Sequence, residues 1–193
     1  KGAGGGGKPP TTPPPSRYPI HSVKALYHKN SSNMSLIADV RINNQYIRVI
    51  NNHFETTNVN AYRGIITAPD KSLKIRAKAV KNLILQMKDN NRKRAIQADS
   101  IHAEIQRSPY PVIVCGDFND TPASYTYHRV KKGLTDGFQD VGNGYQYTFR
   151  QLYRLWRIDY VFYSESLKGQ DCFSPDVSYS DHNMVVWRGC VKN

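Results

Sequence analysis

Four short segments of the chain set carboxylates, amides or imidazoles at the ends of apolar runs. They are Asn51-x-His53, then Gly116-Asp117-Phe118-Asn119-Asp120 behind Val112-Ile113-Val114-Cys115, then Asp159 inside Arg157-Ile158-Asp159-Tyr160-Val161-Phe162-Tyr163, and finally Ser180-Asp181-His182 ahead of Met184-Val185-Val186. Such groups give and take protons and hydrogen bonds, and strand ends are where a rigid backbone can hold them in place for catalysis. Each segment alone has an ordinary explanation. Gly-Asp-Phe-Asn is a normal turn, because Asp and Asn side chains bond to nearby backbone. Asp159 could be a buried acid paired with Arg157, Asp181-His182 a cap, and His53 a half-buried strand residue; His21, His28, His102 and His128 keep that plain reading. Four repetitions of one design are what point to a site.

The elements that must carry these groups follow from periodicity. Leu36, Ala38, Val40 and Ile42 alternate with polar residues, Asn43-Asn44 signals a hairpin turn, and Ile47, Val49, Asn51, His53 and Glu55 continue the period of two. One face of that second strand thus runs from aliphatic side chains into Asn, His and Glu. From residue 72 to 107 the apolar spacing becomes helical, through Leu73, Ala77, Val80, Ile84 and Met87 and then Ala95, Ala98, Ile101 and Ile105. Asp89-Asn90-Asn91 suggests a break, giving two helices or one kinked helix, ended by Pro109 and Pro111. Residues 111–115 read as a short buried strand, and 147–149, 158–163 and 183–187 as later strands. Residues 1–15 contain only Lys, Gly, Ala, Pro and Thr and are expected to be a flexible lead-in to a domain spanning 16–193.

Composition bounds the rest. A chain of 193 residues with 39% hydrophobic and 22% charged residues is long enough for one domain with a real core. It has no run of about 18 apolar residues that could cross a bilayer, and no signal peptide is expected in the first residues. Three cysteines, Cys115, Cys172 and Cys190, make no disulfide framework and no C-x-x-C pair. The net charge of +12 favours anionic partners. Residues 71–107 hold ten basic residues against Asp89, Asp99 and Glu104, or +7 of that total. A solvated helix face is the preferred reading of this excess; a patch that steers an anionic substrate is the other.

In this order the four segments resemble the endonuclease/exonuclease/phosphatase superfamily, with its DNase I-like fold. The family pattern is N-x-H on a strand, G-D-F-N, an Asp inside an apolar R-I-D-Y strand, and a terminal S-D-H. Bacterial members are the most similar, through S-R-Y-P-I at 16–20 and P-V-I-V-C-G-D-F-N-D-T-P at 111–122. The resemblance implies an α/β fold, a two-sheet β-sandwich flanked by helices, and metal-dependent hydrolysis of a phosphate ester. It implies that His182 acts as base or phosphate contact, oriented by Asp159, since a carboxylate raises imidazole basicity and selects its tautomer. Asp117 would position water, Asn119 would bond a phosphate oxygen, and His53 would face the scissile phosphate. Asn51 and Arg157 would join Asn119 in binding substrate, and Asp181 with Asp117 would hold the metal. Hard oxygen donors suit Mg²⁺ or Mn²⁺ rather than structural zinc.

One departure shapes the expectation. Family members carry an Asn and a metal-binding Glu on strands that precede the S-R-Y-P-I segment, whereas the first acid of this chain is Asp39. The chain is therefore expected to be the C-terminal part of the fold, incomplete at its N-terminus. Glu55 is the one candidate substitute. Without it, weak Mg²⁺ binding and little or no activity are expected. The alternative function is a non-catalytic basic scaffold for nucleic acid or anionic phosphates. Substrate candidates are nucleic acid, phospholipid headgroups and small phosphodiesters, and a monomer is expected.

Overall fold

The computed structural model describes residues 16–57, 59–151 and 154–192; the expected lead-in at 1–15 lies outside them. β1 (Ile20–Tyr27), β2 (Met34–Ile42) and β3 (Gln45–His53) form an antiparallel meander, with Asn43 at φ 53° in the turn between the last two. The chain crosses over through α1 (Val59–Thr67) and α2 (Leu73–Gln106) and returns as β4 (Val112–Asp117), parallel to β3. α3 (Tyr125–Lys131), β5 (Thr135–Asp136) and α4 (Gly137–Val141) lead to β6 (Asp159–Tyr163), which pairs antiparallel with β4. The sheet order is β1-β2-β3-β4-β6-β5. β7 (Leu167–Phe173) and β8 (Val186–Val191) form a second, two-stranded sheet.

Both faces of the central strands are used. On one face Ile50, Val112, Val114 and Phe162 pack under Ala98, Ile101 and Ile105 of α2 and Tyr127 and Val130 of α3. Phe54 and Phe118, just past the ends of β3 and β4, close this core at 0% exposure and lie 5.0 Å apart between ring centroids. On the other face Ile47, Val49, Ile113 and Tyr163 meet Leu167, Trp187 and Val191 of the small sheet. Burial on both sides is why β4 reads as an unbroken aliphatic run and not as an alternation.

Three expectations are corrected. α2 is a single helix of 34 residues through Asp89-Asn90-Asn91, which excludes the two-helix alternative. The polar residues there serve the fold: Asn90 is buried and donates to the Thr56 carbonyl at 3.0 Å, and the Asn91 side chain accepts from Arg94. Residues 147–149 form only isolated bridges from Phe149 to Trp156 and His182. The last strand starts at Val186, so 183–185 remain loop. The strands β1 and β7 and the helices α1, α3 and α4 carry too little alternation or too few residues to announce themselves. No helix among the described residues is long and apolar enough to cross a membrane.

Candidate active site

Strand register assembles three of the candidate groups. His53 is the register partner of Asp117 across the parallel β3–β4 pair, and Asp117 is the partner of Asp159 across the antiparallel β4–β6 pair. The ends of three adjacent strands therefore bring an imidazole and two carboxylates side by side. Gly116 allows the close approach. Its φ is +126°, and a Cβ there would sit 2.0 Å from the Asn52 carbonyl oxygen. Any larger residue would have to push β3 away, which gives the glycine of Gly-Asp-Phe-Asn a backbone reason.

Asp117 then organises the turn. The Asn119 backbone N–H donates to its Oδ1 at 2.7 Å, and Asn119 Nδ2 donates to its Oδ2 at 3.1 Å and to the Phe54 carbonyl at 3.0 Å. Asn119 holds φ 50°, a left-handed conformation that Asn tolerates better than most residues. The turn explanation thus holds for residues that also stand at the candidate site.

His182 arrives from far along the chain. Thr148, with no exposed surface, takes the backbone N–H groups of Ile158 and Asp159 on its Oγ1, both at 3.0 Å, and its carbonyl accepts from Asn183 at 2.7 Å. One buried threonine thus ties the start of β6 to the loop that carries the histidine. Phe149 packs against the imidazole with centroids 5.1 Å apart and the rings tilted by 59°. His182 Nδ1 lies 2.9 Å from Asp159 Oδ2, and its Nε2 lies 4.0 Å from Asp117 Oδ2. His53 Nε2 faces the same Asp117 oxygen at 3.9 Å.

The electrostatics follow from this crowding. The hydrogen bond that His182 donates to Asp159 raises the His182 pKa against the opposing effect of burial. Burial first, and the neighbouring Asp159 charge second, push the Asp117 carboxyl up to about 7. A buried carboxylate pair of this kind is relieved by a proton or a cation. Asp117, Asp159 and His182 are the one group of metal-capable side chains found among the described residues, with ligand atoms within 4.8 Å. Beside them opens a cavity of about 390 Å³ lined by Asn51, Cys115, Asp159, Ser180, His182 and Met184 among others. Burial pushes the Cys115 thiol up to about 11, so it offers no thiolate near neutral pH and the donors of the cluster are carboxylate oxygens and one imidazole nitrogen.

The sequence profile of the endonuclease/exonuclease/phosphatase family matches residues 16–182. The chain belongs to that family. A comparison with curated proteins finds no match. Among solved structures, the endonuclease/exonuclease/phosphatase from Bacteroides vulgatus superposes with TM-score 0.60 at 16% identity, over 91% of this chain and 67% of that one. Humanized D. rerio TDP2 gives 0.58 at 15% identity, over 90% and 67%. The mannosyl-6-phosphatase of Bacteroides thetaiotaomicron gives 0.57 at 15%, over 89% and 67%. The chain thus spans about two thirds of each structure's length, and the likeness at this identity is one of fold: a mixed α/β architecture of the DNase I-like kind.

Not every expected residue joins the site. Arg157 does not face the cavity. It is 8% exposed, paired with the buried Asp136, and stacked over Tyr160 with its guanidinium 4.8 Å from the ring centroid. Its reach to the core aromatics outweighs its nearness in sequence to Asp159. Asp181 is exposed beside His182 and lies outside the three-residue cluster. Glu55 is occupied elsewhere, accepting from Ser31 and pairing with Lys93 at 3.0 Å. Asn51 lines the cavity. Of the basic stretch, Arg94 is buried against Asp120 and Lys93 is held by Glu55 and Asp89, so neither is free to steer a substrate. Thr148 went unnoticed in the sequence because a lone threonine carries no signal until its partners are known.

Proposed function

We propose that the chain carries the site of a divalent-metal-dependent phosphoesterase. The observation that carries this is the Asp159–His182 pair at 2.9 Å facing Asp117. His182, with Nδ1 engaged by Asp159, presents Nε2 to the space in front of Asp117, where it takes a proton from water or contacts a phosphoryl oxygen. Asp117 orients the attacking water, and Asn119, whose side-chain amide gives its two hydrogens to Asp117 and Phe54 in the free chain, turns one of them to a phosphate oxygen when substrate binds. His53 approaches the same oxygen of Asp117 from the β3 side and serves the scissile phosphate as acid or ligand. Asn51, on the cavity wall, joins substrate binding. Asp181 and Asp117 would hold Mg²⁺ or Mn²⁺, which supplies charge stabilisation for the phosphoryl oxygens and an acidified water.

Neighbours of this fold include a mannosyl-6-phosphatase and a D. rerio TDP2 complexed with a single-strand DNA product. They support the substrate class, a phosphate ester, and leave its alcohol open. The test is hydrolysis of bis-p-nitrophenyl phosphate with Mg²⁺ and with EDTA, by these 193 residues and by a form extended upstream with a strand bearing Asn and Glu. Low, EDTA-sensitive turnover that rises in the extended form and disappears in His182→Ala of either form is expected. Full rate in His182→Ala overturns the assignment. Salt-sensitive oligonucleotide binding with no hydrolysis in either form would support the scaffold reading instead.

A further inference from the structure

The first half of α2 is built unlike the second. Arg94 and Asn90 bond to Glu55 and Thr56, just past the site end of β3, so α2 meets the sheet there. Residues 73–89 precede that point and, at about 1.5 Å per residue, run roughly 25 Å beyond it with α1 as their packing partner. Over this length Leu73, Ala77, Val80, Ile84 and Met87 recur at intervals of four and three and share an arc of about 80°. That arc points outward: Leu73 is 82% exposed and Ile84 59%. A continuous apolar stripe in this state marks a contact surface.

The charges beside it narrow the partner. Lys74, Lys81 and Lys88 follow one another at intervals of seven along one edge of the stripe, all exposed, with Lys78 behind them. From Lys71 to Lys88 there is no acidic residue. A second copy would set one lysine row against another, which like-charge repulsion disfavours. Nucleic acid would explain the lysines and leave the stripe in water. A bilayer surface bearing anionic headgroups satisfies both, because leucine, valine and isoleucine enter the acyl boundary while long lysine stems reach back to the headgroups.

We propose that the α1–α2 hairpin docks on an anionic lipid surface through this stripe and its lysine row, at the same end of the molecule as the candidate site. The proposal stands independently of the phosphoesterase reading, since it rests on none of the site residues.

The test uses the 193-residue chain with phosphatidylcholine vesicles, with and without phosphatidylglycerol, in a sedimentation assay. Binding to the anionic vesicles alone is expected. The triple variant K74Q/K81Q/K88Q should lose on the order of 100-fold in vesicle affinity, as expected for three lysines near a charged surface. The control K132Q/K168Q/K192Q removes the same charge from exposed lysines outside the hairpin and should keep nearly all of it. Ile84→Asp should weaken binding at least about tenfold with the far-UV circular dichroism unchanged. Ile84→Trp should gain indole fluorescence that brominated acyl chains quench, beyond any quenching of Trp156 and Trp187 in the parent chain. Equal binding to neutral vesicles, indifference to Ile84→Asp, or no added quenching overturns the proposal. So does a dimer in sedimentation velocity that Ile84→Asp abolishes, or oligonucleotide binding that the lysine triple loses and Ile84→Asp keeps.

Discussion

The two halves of α2 invert the usual relation between polarity and burial. Its second half buries Asn90, Arg94, Gln97 and His102 together with Ala98, Ile101 and Ile105. Its first half leaves Leu73, Ile75, Val80, Ile84, Leu85 and Met87 in the open. The buried polar groups brace the loop between β3 and α1. Gln97 accepts from the Glu55 backbone at 2.9 Å, and Arg94 binds the Glu55 carbonyl, Thr57 and Asp120. That loop and Asp120 flank the candidate site, so the second half fixes geometry. The exposed half fixes nothing in the sheet. Periodicity alone cannot separate them, because both halves carry the same helical spacing; what differs is what lies opposite.

The largest expected effect lies at the site that the second half supports. His182→Ala and Asp117→Ala should each lower the hydrolytic rate by about 10²–10⁴, the range for a positioned acid–base group, while Ile84→Asp leaves it unchanged. Asp159→Asn, which keeps His182 in place but weakens its orientation, should cost less than either. Equal losses at Ile84 and His182, measured with the same phosphodiester, would erase the distinction between the halves.

Next comes the brace itself. Arg94→Ala removes the partner of the part-buried Asp120 and should cost about 3–5 kcal/mol in urea denaturation. Ile84→Asp should stay within about 0.5 kcal/mol, as exposed substitutions do. A small cost at Arg94 would mean that the loop holds its shape unaided.

Metal binding gives a third measurement. Among the described residues Asp117 and Asp181 are the acids that we assign to the cation, and Asp117 shares its surroundings with Asp159. Mg²⁺ favours six oxygens in near-octahedral array, so calorimetric titration of these 193 residues should show weak binding. Adding a further carboxylate on an upstream strand should strengthen binding and turnover together. Tight binding by the chain alone would show that other oxygens complete the shell.

The smallest effect is a pH dependence. Burial lowers the pKa of His28 and, first among its causes, that of His102. The unfolded chain takes up protons near the ordinary value of about 6.5 that these two folded-state imidazoles refuse, so their contribution to stability is complete above that pH and declines below it. Asp117 and His182, whose pKa values are raised, take up protons in the same window and act in the opposite direction, so the histidine effect is read as a difference between two chains. Between about pH 7 and pH 5 the melting temperature of His28→Gln, which can still reach Ser35, should change less unfavourably than that of the parent. Identical profiles would mean that the His28 imidazole finds water on protonation.

Much of the fold and the site was legible in the residues themselves. The aliphatic run 112–115, the Asn-Asn turn and the helical spacing after Leu73 rest on local preferences that tertiary packing then reinforced. The four acid-and-imidazole segments stood out only as a set, since each alone has an ordinary explanation as a turn, a cap or a strand residue. Breaks were misjudged where a polar residue found a distant partner, as Asn90 did at Thr56. The strands β1 and β7, which lack a clean alternation, gave no local signal.

What sequence alone determined is therefore which groups are available and, for His53, Asp117 and Asp159, on which strands they sit; with His182 they are written in four segments spread over 130 positions. Only the tertiary structure decided their meeting. Parallel pairing of β3 with β4 and antiparallel pairing of β4 with β6 set three of them in register, and Thr148 ties in the fourth. It also sent Arg157 into the aromatic core and Glu55 to Lys93, both of which stand close in sequence to site residues. The physical reason is that side-chain choice is local while hydrogen-bond register is a property of the whole sheet. A residue's partner across a strand is fixed by packing that no neighbouring residue encodes.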